Sequence, residues 1–224
     1  MKWSVVRGGH VIEIVTRMTG HSPVAISRDR LKLLDFTPLE REHQAAVQLD
    51  VVMSRFAIDD AGHIVKLYIR DKFTDVHADL ALSLTRLKQF SALNHPHSAA
   101  GVSDCGMAEL LSHPALEDVT YQGNQKLTGA FFNALRPGSS ITRIGVPFCP
   151  IDDASLALAD GCSLTHISLR GSQVSDDSID TLASMRSLQQ VHVKQTRVTR
   201  IGVERLRNLL PGCWIDMLDR PHDG

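Results

Sequence analysis

The sequence predicts an α/β solenoid: short parallel strands laid side by side, each returning through a turn and a helix, with a helix and hairpin in front. Three observations carry that reading. The pattern apolar-x-x-apolar-x-apolar occurs six times from residue 64 onward, and its central residues, Leu67, Phe90, Val119, Ile144, Ile167 and Val191, lie 23, 29, 25, 23 and 24 residues apart. An apolar residue followed by a helix-capping one comes after every strand pattern in the same register. Apolar residues then return at helical spacing, as Ile179 with Leu182 and Val203 with Leu206.

Residues 1–37 lack the repeat. Val11–Val15 reads as a strand and Arg30–Leu34 as part of a helix, and the segment equally fits a mobile arm. Thr37-Pro38-Leu39-Glu40 opens a helix, with Thr as cap, Pro at the first helical position and Glu reaching back as in a capping box. That helix is expected to reach about residue 54, carrying Leu39, Val47, Val51 and Val52. Phe56–Ile58, Asp59–Gly62 and Ile64–Leu67 then read as strand, turn and strand. A solenoid exposes its core at each end unless something covers it, so residues 38–63 are expected to form an N-terminal cap.

The strand patterns run Ile64–Ile69, Leu87–Ala92, Leu116–Tyr121, Ile141–Val146, Leu164–Leu169 and Leu188–Val193. The capping pairs behind them are Phe73-Thr74, Val102-Ser103, Leu127-Thr128, Ile151-Asp152, Val174-Ser175 and Val198-Thr199. Ser, Thr and Asp accept hydrogen bonds from the free N–H groups of a starting helix. Asp75, Asp104, Asp153, Asp176 and Asp177 follow, where the positive end of the helix dipole favours acids. One unit of this kind cannot bury its apolar face alone, and stacking lets neighbours share a core.

With these residues in view, positions 64–215 resemble a leucine-rich repeat protein, whose units run roughly 20–29 residues. The unit Leu164–Leu182 is similar to the helix-bearing subclass of ribonuclease-inhibitor-like and many bacterial repeat proteins, and Leu209–Ile215 looks like the last repeat of such chains, leaving 216–224 as a tail. The resemblance implies that strands line a concave face and helices a convex one. It also implies that Asn124, Cys149, Ser172 and Thr196 bind loop backbone from the strand-to-helix turn. Two features depart from the pattern: the second unit has 29 residues, with an insertion around His95-Pro96-His97-Ser98, and Pro147 follows the fourth strand.

Composition fits a folded, soluble chain: 224 residues, 43% hydrophobic, 22% charged, with a formal net charge of -1. Near-neutrality argues against a surface built throughout for nucleic acid, so no nucleic-acid partner is expected. No run reaches the roughly 20 apolar residues that span a bilayer, and the N-terminus builds no signal-peptide core, so no membrane association and a cytoplasmic location are expected. Cys105, Cys149, Cys162 and Cys213 form no C-x-x-C pair and read as reduced structural thiols. The charges are segregated: Asp152, Asp153, Asp160, Asp176, Asp177 and Asp180 precede a stretch holding Arg186, Lys194, Arg197, Arg200, Arg205 and Arg207.

Side chains beside the strand anchors alternate outward. The concave face is therefore expected to carry Lys66, Tyr68 and Arg70; Gln89 and Ser91; Asp118, Thr120 and Gln122; Arg143 and Gly145; His166, Ser168 and Arg170; Gln190, His192 and Lys194. These are the candidate partner-binding residues. Basic groups gather toward the C-terminal end, which suits an acidic protein surface or a phosphate and equally suits solvating charge.

Chemistry has little to build on. Ser168 and His192 hold equivalent places in neighbouring strands, but Asp118 lies two strands farther from Ser168, where it cannot orient His192, and no G-x-S-x-G elbow surrounds Ser168. His95 and His97 with Cys105 or His113 lack the spacing of zinc motifs, so no metal is expected. Gly8-Gly9 lacks a phosphate-loop pattern, and no cofactor is expected. The sequence thus reads as a non-enzymatic protein-binding scaffold. Two other readings remain: an adaptor recruiting substrate to a separate enzyme, and a small hydrolase resting on Ser168 and His192.

Overall fold

A computed structural model describes residues 2–7, 10–15, 38–49, 53–70, 72–94, 100–135 and 138–216. Strands β1 (Lys2–Arg7) and β2 (His10–Val15) pair antiparallel in a two-stranded sheet that includes Val11–Val15. An eight-stranded sheet holds the rest. Its strands β3 (Met53–Ile58) and β4 (Ile64–Arg70) form an antiparallel hairpin, closed by Asp59, whose carboxylate accepts the N–H groups of Ala61 and His63. Strands β5 (Gln89–Leu93), β6 (Asp118–Gln122), β7 (Arg143–Gly145), β8 (His166–Ser168), β9 (Gln190–His192) and β10 (Trp214–Asp216) join one after another in sequence order, all parallel.

Parallel neighbours need a crossover. Here the crossovers are α2 (Asp75–Ala81), α3 (Asp104–Leu111), α4 (Asp153–Leu156), α5 (Ile179–Ser184) and α6 (Arg200–Leu209), preceded in the chain by α1 (Pro38–Leu49). The unit between β6 and β7 substitutes a 3-10 turn, Ala130–Ala134. Helices this short are marginal alone, so caps and packing hold them. Thr74, Ser103, Asp152 and Thr199 are N-caps as expected, and Ser175 caps a 3-10 turn that runs into α5. Thr128 is not a cap: Gly129, in a left-handed conformation, takes the position instead.

All six strand anchors are buried, in one apolar cluster that runs from Ala45 to Ile215. Burial of each such side chain contributes about 1.5–3 kcal/mol. Phe73, Phe90 and Tyr121 form its largest aromatic group, with centroids 4.9 to 6.3 Å apart, and the Tyr121 hydroxyl donates to Phe73 O at 3.2 Å.

Three expectations need correction or limits. Helix α1 is described only to Leu49, and Met53 already belongs to β3, so the expected helix to 54 is too long; Val51 and Val52 fall outside the described residues. The antiparallel pairing of Met53 with Ile69 takes the backbone that the end of such a helix would need. Asn124, Cys149 and Thr196 do bind loop backbone, through Val102 O, Tyr121 O and Val193 O, whereas the buried Ser172 hydroxyl has no partner among the described residues. The His95-Pro96-His97-Ser98 insertion, Arg30–Leu34 and residues 217–224 lie outside the described residues, while Asp216 belongs to the last strand.

Candidate functional site

Strand register decides which of the candidate residues meet. Lys66, Gln89, Asp118, Arg143, His166, Gln190 and Trp214 are successive Cα partners across the sheet, one row. Tyr68, Ser91, Thr120, Gly145, Ser168, His192 and Asp216 form a second row two residues farther along. Arg70, Leu93 and Gln122 begin a third, which Arg170 and Lys194 continue through the backbone bonds of Phe148 and Gly171. Alternate strand residues are buried in the core, so these rows share the opposite, open face.

In the first row Asp118 sits among cations. Burial raises its carboxyl above the ordinary value, opposed by Arg143, His166 and Lys66. Burial, then Arg143 and His192, holds His166 below its ordinary value against the pull of Asp118, so His166 is chiefly neutral at pH 7. The Thr165 hydroxyl donates to Thr142 O at 3.0 Å and accepts from His166 Nδ1 at 2.8 Å. The Arg143 side chain is exposed and makes no hydrogen bond or ion pair among the described residues.

The C-terminal end holds residues that the sequence reading missed. His192 Nδ1 donates to Asp216 Oδ2 at 2.9 Å, and Asp216 Oδ1 accepts the Val193 N–H at 2.9 Å. The Gln190 amide donates to His192 Nε2 at 2.9 Å, and the exposed Trp214 ring meets the imidazole edge-on at 5.2 Å. The signal was available: 24 residues beyond Gln190 and His192 stand Trp214 and Asp216.

An acid does therefore orient His192, on the strand opposite Ser168. Ser168, His192 and Asp216 lie side by side in the order of a hydrolytic triad. The bond a base needs is made elsewhere, because His192 Nε2 is occupied by Gln190 and not by Ser168. The neighbouring Val193 N–H is also spent, on Asp216, and does not point at an oxyanion.

Arg170 lies 5.4 Å over the Phe148 ring and donates through Nε to Gln195 at 2.9 Å. Arg55 lies 5.2 Å over Tyr68 at the other end of the sheet. Among the described residues no group of His, Cys, Asp and Glu is placed to hold a metal, and His113 is bonded to Leu84 O. No helix among them is long and apolar enough to cross a membrane.

No family model matches the chain, and no curated protein matches it significantly. Among solved structures it is similar to internalin C2 of Listeria monocytogenes, at 22% identity and a TM-score of 0.44, over 62% of this chain and 55% of that one. It is also similar to a leucine-rich repeat protein of Leptospira interrogans, at 17% identity and a TM-score of 0.44, over 62% of this chain and 33% of that one. The chain thus spans about half the length of the first and a third of the second.

Proposed function

We propose that the chain is a leucine-rich repeat solenoid acting as a non-enzymatic scaffold, which binds a protein partner on the open, concave face of its sheet. The observation that carries this is the face itself: two rows of polar and aromatic side chains, interrupted only at Gly145, in register over seven strands and backed by a continuous core. Its free cysteines suit a reducing, cytoplasmic compartment. The test is crosslinking capture from the native cell with the wild-type chain and with Tyr68, Arg143, His166 and His192 all changed to Ala. Loss of the partner from the variant is expected; capture at the wild-type level sinks the reading. A constant enzyme partner would turn the scaffold into a substrate-recruiting adaptor.

The alignment of Ser168, His192 and Asp216 favours one other reading, a serine hydrolase. The Gln190 amide on His192 Nε2 argues against it. A fluorophosphonate probe is expected to leave Ser168 unlabelled, and labelling abolished by His192→Ala would establish the hydrolase.

A further inference from the structure

The second row has a distinctive profile. Its middle is small, Ser91, Thr120, Gly145 and Ser168, and is flanked by the rings of Tyr68 and His192, with Asp216 beyond the latter. Gly145 offers no side chain, and the space where a Cβ would stand is bordered by Thr120 Oγ1 at 3.1 Å and Ser168 Cβ at 3.5 Å. Between Tyr68 and His192 the row is thus a trough across the strands, floored by small side chains and bounded by two rings.

Both end walls are braced. Arg55 stacks on Tyr68, and His192 is held by Asp216, Gln190 and Trp214 together. The floor hydroxyls of Ser91, Thr120 and Ser168, by contrast, make no hydrogen bond among the described residues. Hydroxyls at the strand bases, those of Ser140, Thr165 and Ser187, are all bonded to backbone carbonyls. An incoming chain thus meets fixed walls and unspent donors, the preorganisation that lowers the cost of binding.

Charge identifies the occupant. The flanking rows bring Lys66 and Arg143 to one side of the trough and Arg70, Arg170 and Lys194 to the other. Against these stand Asp118, in the first row, and Asp216, which is bonded to His192. The face is cationic on a chain whose net charge is -1.

We infer, resting on the reading of the open face as the binding surface, that the trough holds an extended acidic peptide segment of the partner, lying across the strands from Tyr68 to His192. From β4 to β9 there are five strand steps. At about 4.8 Å each they span about 24 Å, the length of about seven extended residues. The floor hydroxyls and the flanking cations donate to its carbonyls and carboxylates.

The test is fluorescence anisotropy on the full chain with fluorescein-labelled heptapeptides of Glu, Gln and Lys and with a single-stranded oligonucleotide of matched charge. The Glu peptide is expected to bind and the Gln and Lys peptides not to bind. Combining Arg143→Glu with Lys194→Glu is expected to weaken it roughly tenfold or more. Ser168→Phe, which fills the floor and leaves every charge, is expected to abolish it; Arg205→Gln, away from the face, is expected to change nothing. Circular dichroism of each variant separates lost binding from lost folding. No binding of the Glu peptide, binding that survives Ser168→Phe, or tighter binding of the oligonucleotide each overturns the inference. If the Glu peptide fails while the fourfold alanine variant still loses its cellular partner, the scaffold reading stands and only the acidic segment falls.

Discussion

Asp176 accepts both the N–H and the O–H of Thr199, at 2.8 and 2.6 Å, and so ties the start of one helical segment to the cap of the next. The same device links Asp75 to Ser103, Asp104 to Thr128, and Asp153 to Ser175. One step is missing, because the unit at Thr128 carries Gly129 where the units at Thr74, Ser103, Asp152 and Ser175 have Asp. There Asp152 is instead capped within its own helix by Ser155. The acids that suit helix dipoles also act between units, which is where a stacked fold needs cohesion.

The carboxylate needs room. A Cβ on Gly202 would lie 2.1 Å from Asp176 Oδ1. Gly202→Ala is therefore expected to destabilise the chain, although Ala is favoured over Gly in a helix by about 1 kcal/mol. Asp176→Ala removes two charge-assisted bonds at a cost of about 1–3 kcal/mol. In that background Gly202→Ala is expected to reverse sign and stabilise. Urea midpoints of the four proteins measure this, and a Gly202→Ala effect of the same sign in both backgrounds contradicts it.

Acid sensitivity follows from the same ladder. Burial alone would raise the Asp153 carboxyl, but the Ser175 N–H and the Ser178 and Ser175 hydroxyls outweigh it and hold it below 3.8. Backbone and hydroxyl bonds from Ser155 lower Asp152 likewise. A depressed carboxyl adds stability that is fully present above the unfolded value and is lost as pH falls through the folded one. Unfolding by urea is thus expected to become easier below about pH 4. Asp153→Asn should show a shallower acid limb; an unchanged slope would mean that other groups set it.

The thiols divide by burial. Burial pushes the Cys149 thiol up to about 12, and its Sγ–H donates to Tyr121 O at 3.3 Å. Burial also raises Cys162 and Cys213, whereas Cys105 is exposed. Since the thiolate is the nucleophile, iodoacetamide at pH 8 is expected to label Cys105 first and Cys149 last. Peptide mass spectrometry reads the order. Labelling of Cys149 at the rate of Cys105 in the folded chain would mean that the turn opens.

Period and parity made most of this fold legible. The spacing of Leu67 to Val191 fixed which residues are buried, and strand alternation fixed which face Arg143, His166 and His192 share. Two kinds of information were missed, the first of them present in the period and the second out of reach. Asp216 and Trp214 were overlooked as face residues because the last strand lacks the full apolar triplet, so Leu209–Ile215 reads as the last repeat without its outward positions being counted. Phe148 and Gln195 were invisible because their backbone is left-handed, with φ of 58° for both, at a turn position where Gly123 and Gly171 stand in neighbouring units. Only the chain around them, not their residue type, imposes that conformation.

Phe148 also dictates its neighbour. Gly171 has φ of 67°, and a Cβ there would lie 2.3 Å from Phe148 Cδ1, so glycine is required both by conformation and by the ring packed on it. Gly171→Ala is expected to cost more than the about 1–2 kcal/mol that left-handed backbone alone imposes on alanine. Phe148→Ala removes the ring and also the surface under Arg170. In that background Gly171→Ala is expected to cost only the backbone share, about 1–2 kcal/mol. Denaturation midpoints of the two single variants and the double measure the difference. Equal costs with and without Phe148 would mean that the ring moves aside freely and that conformation alone demands the glycine.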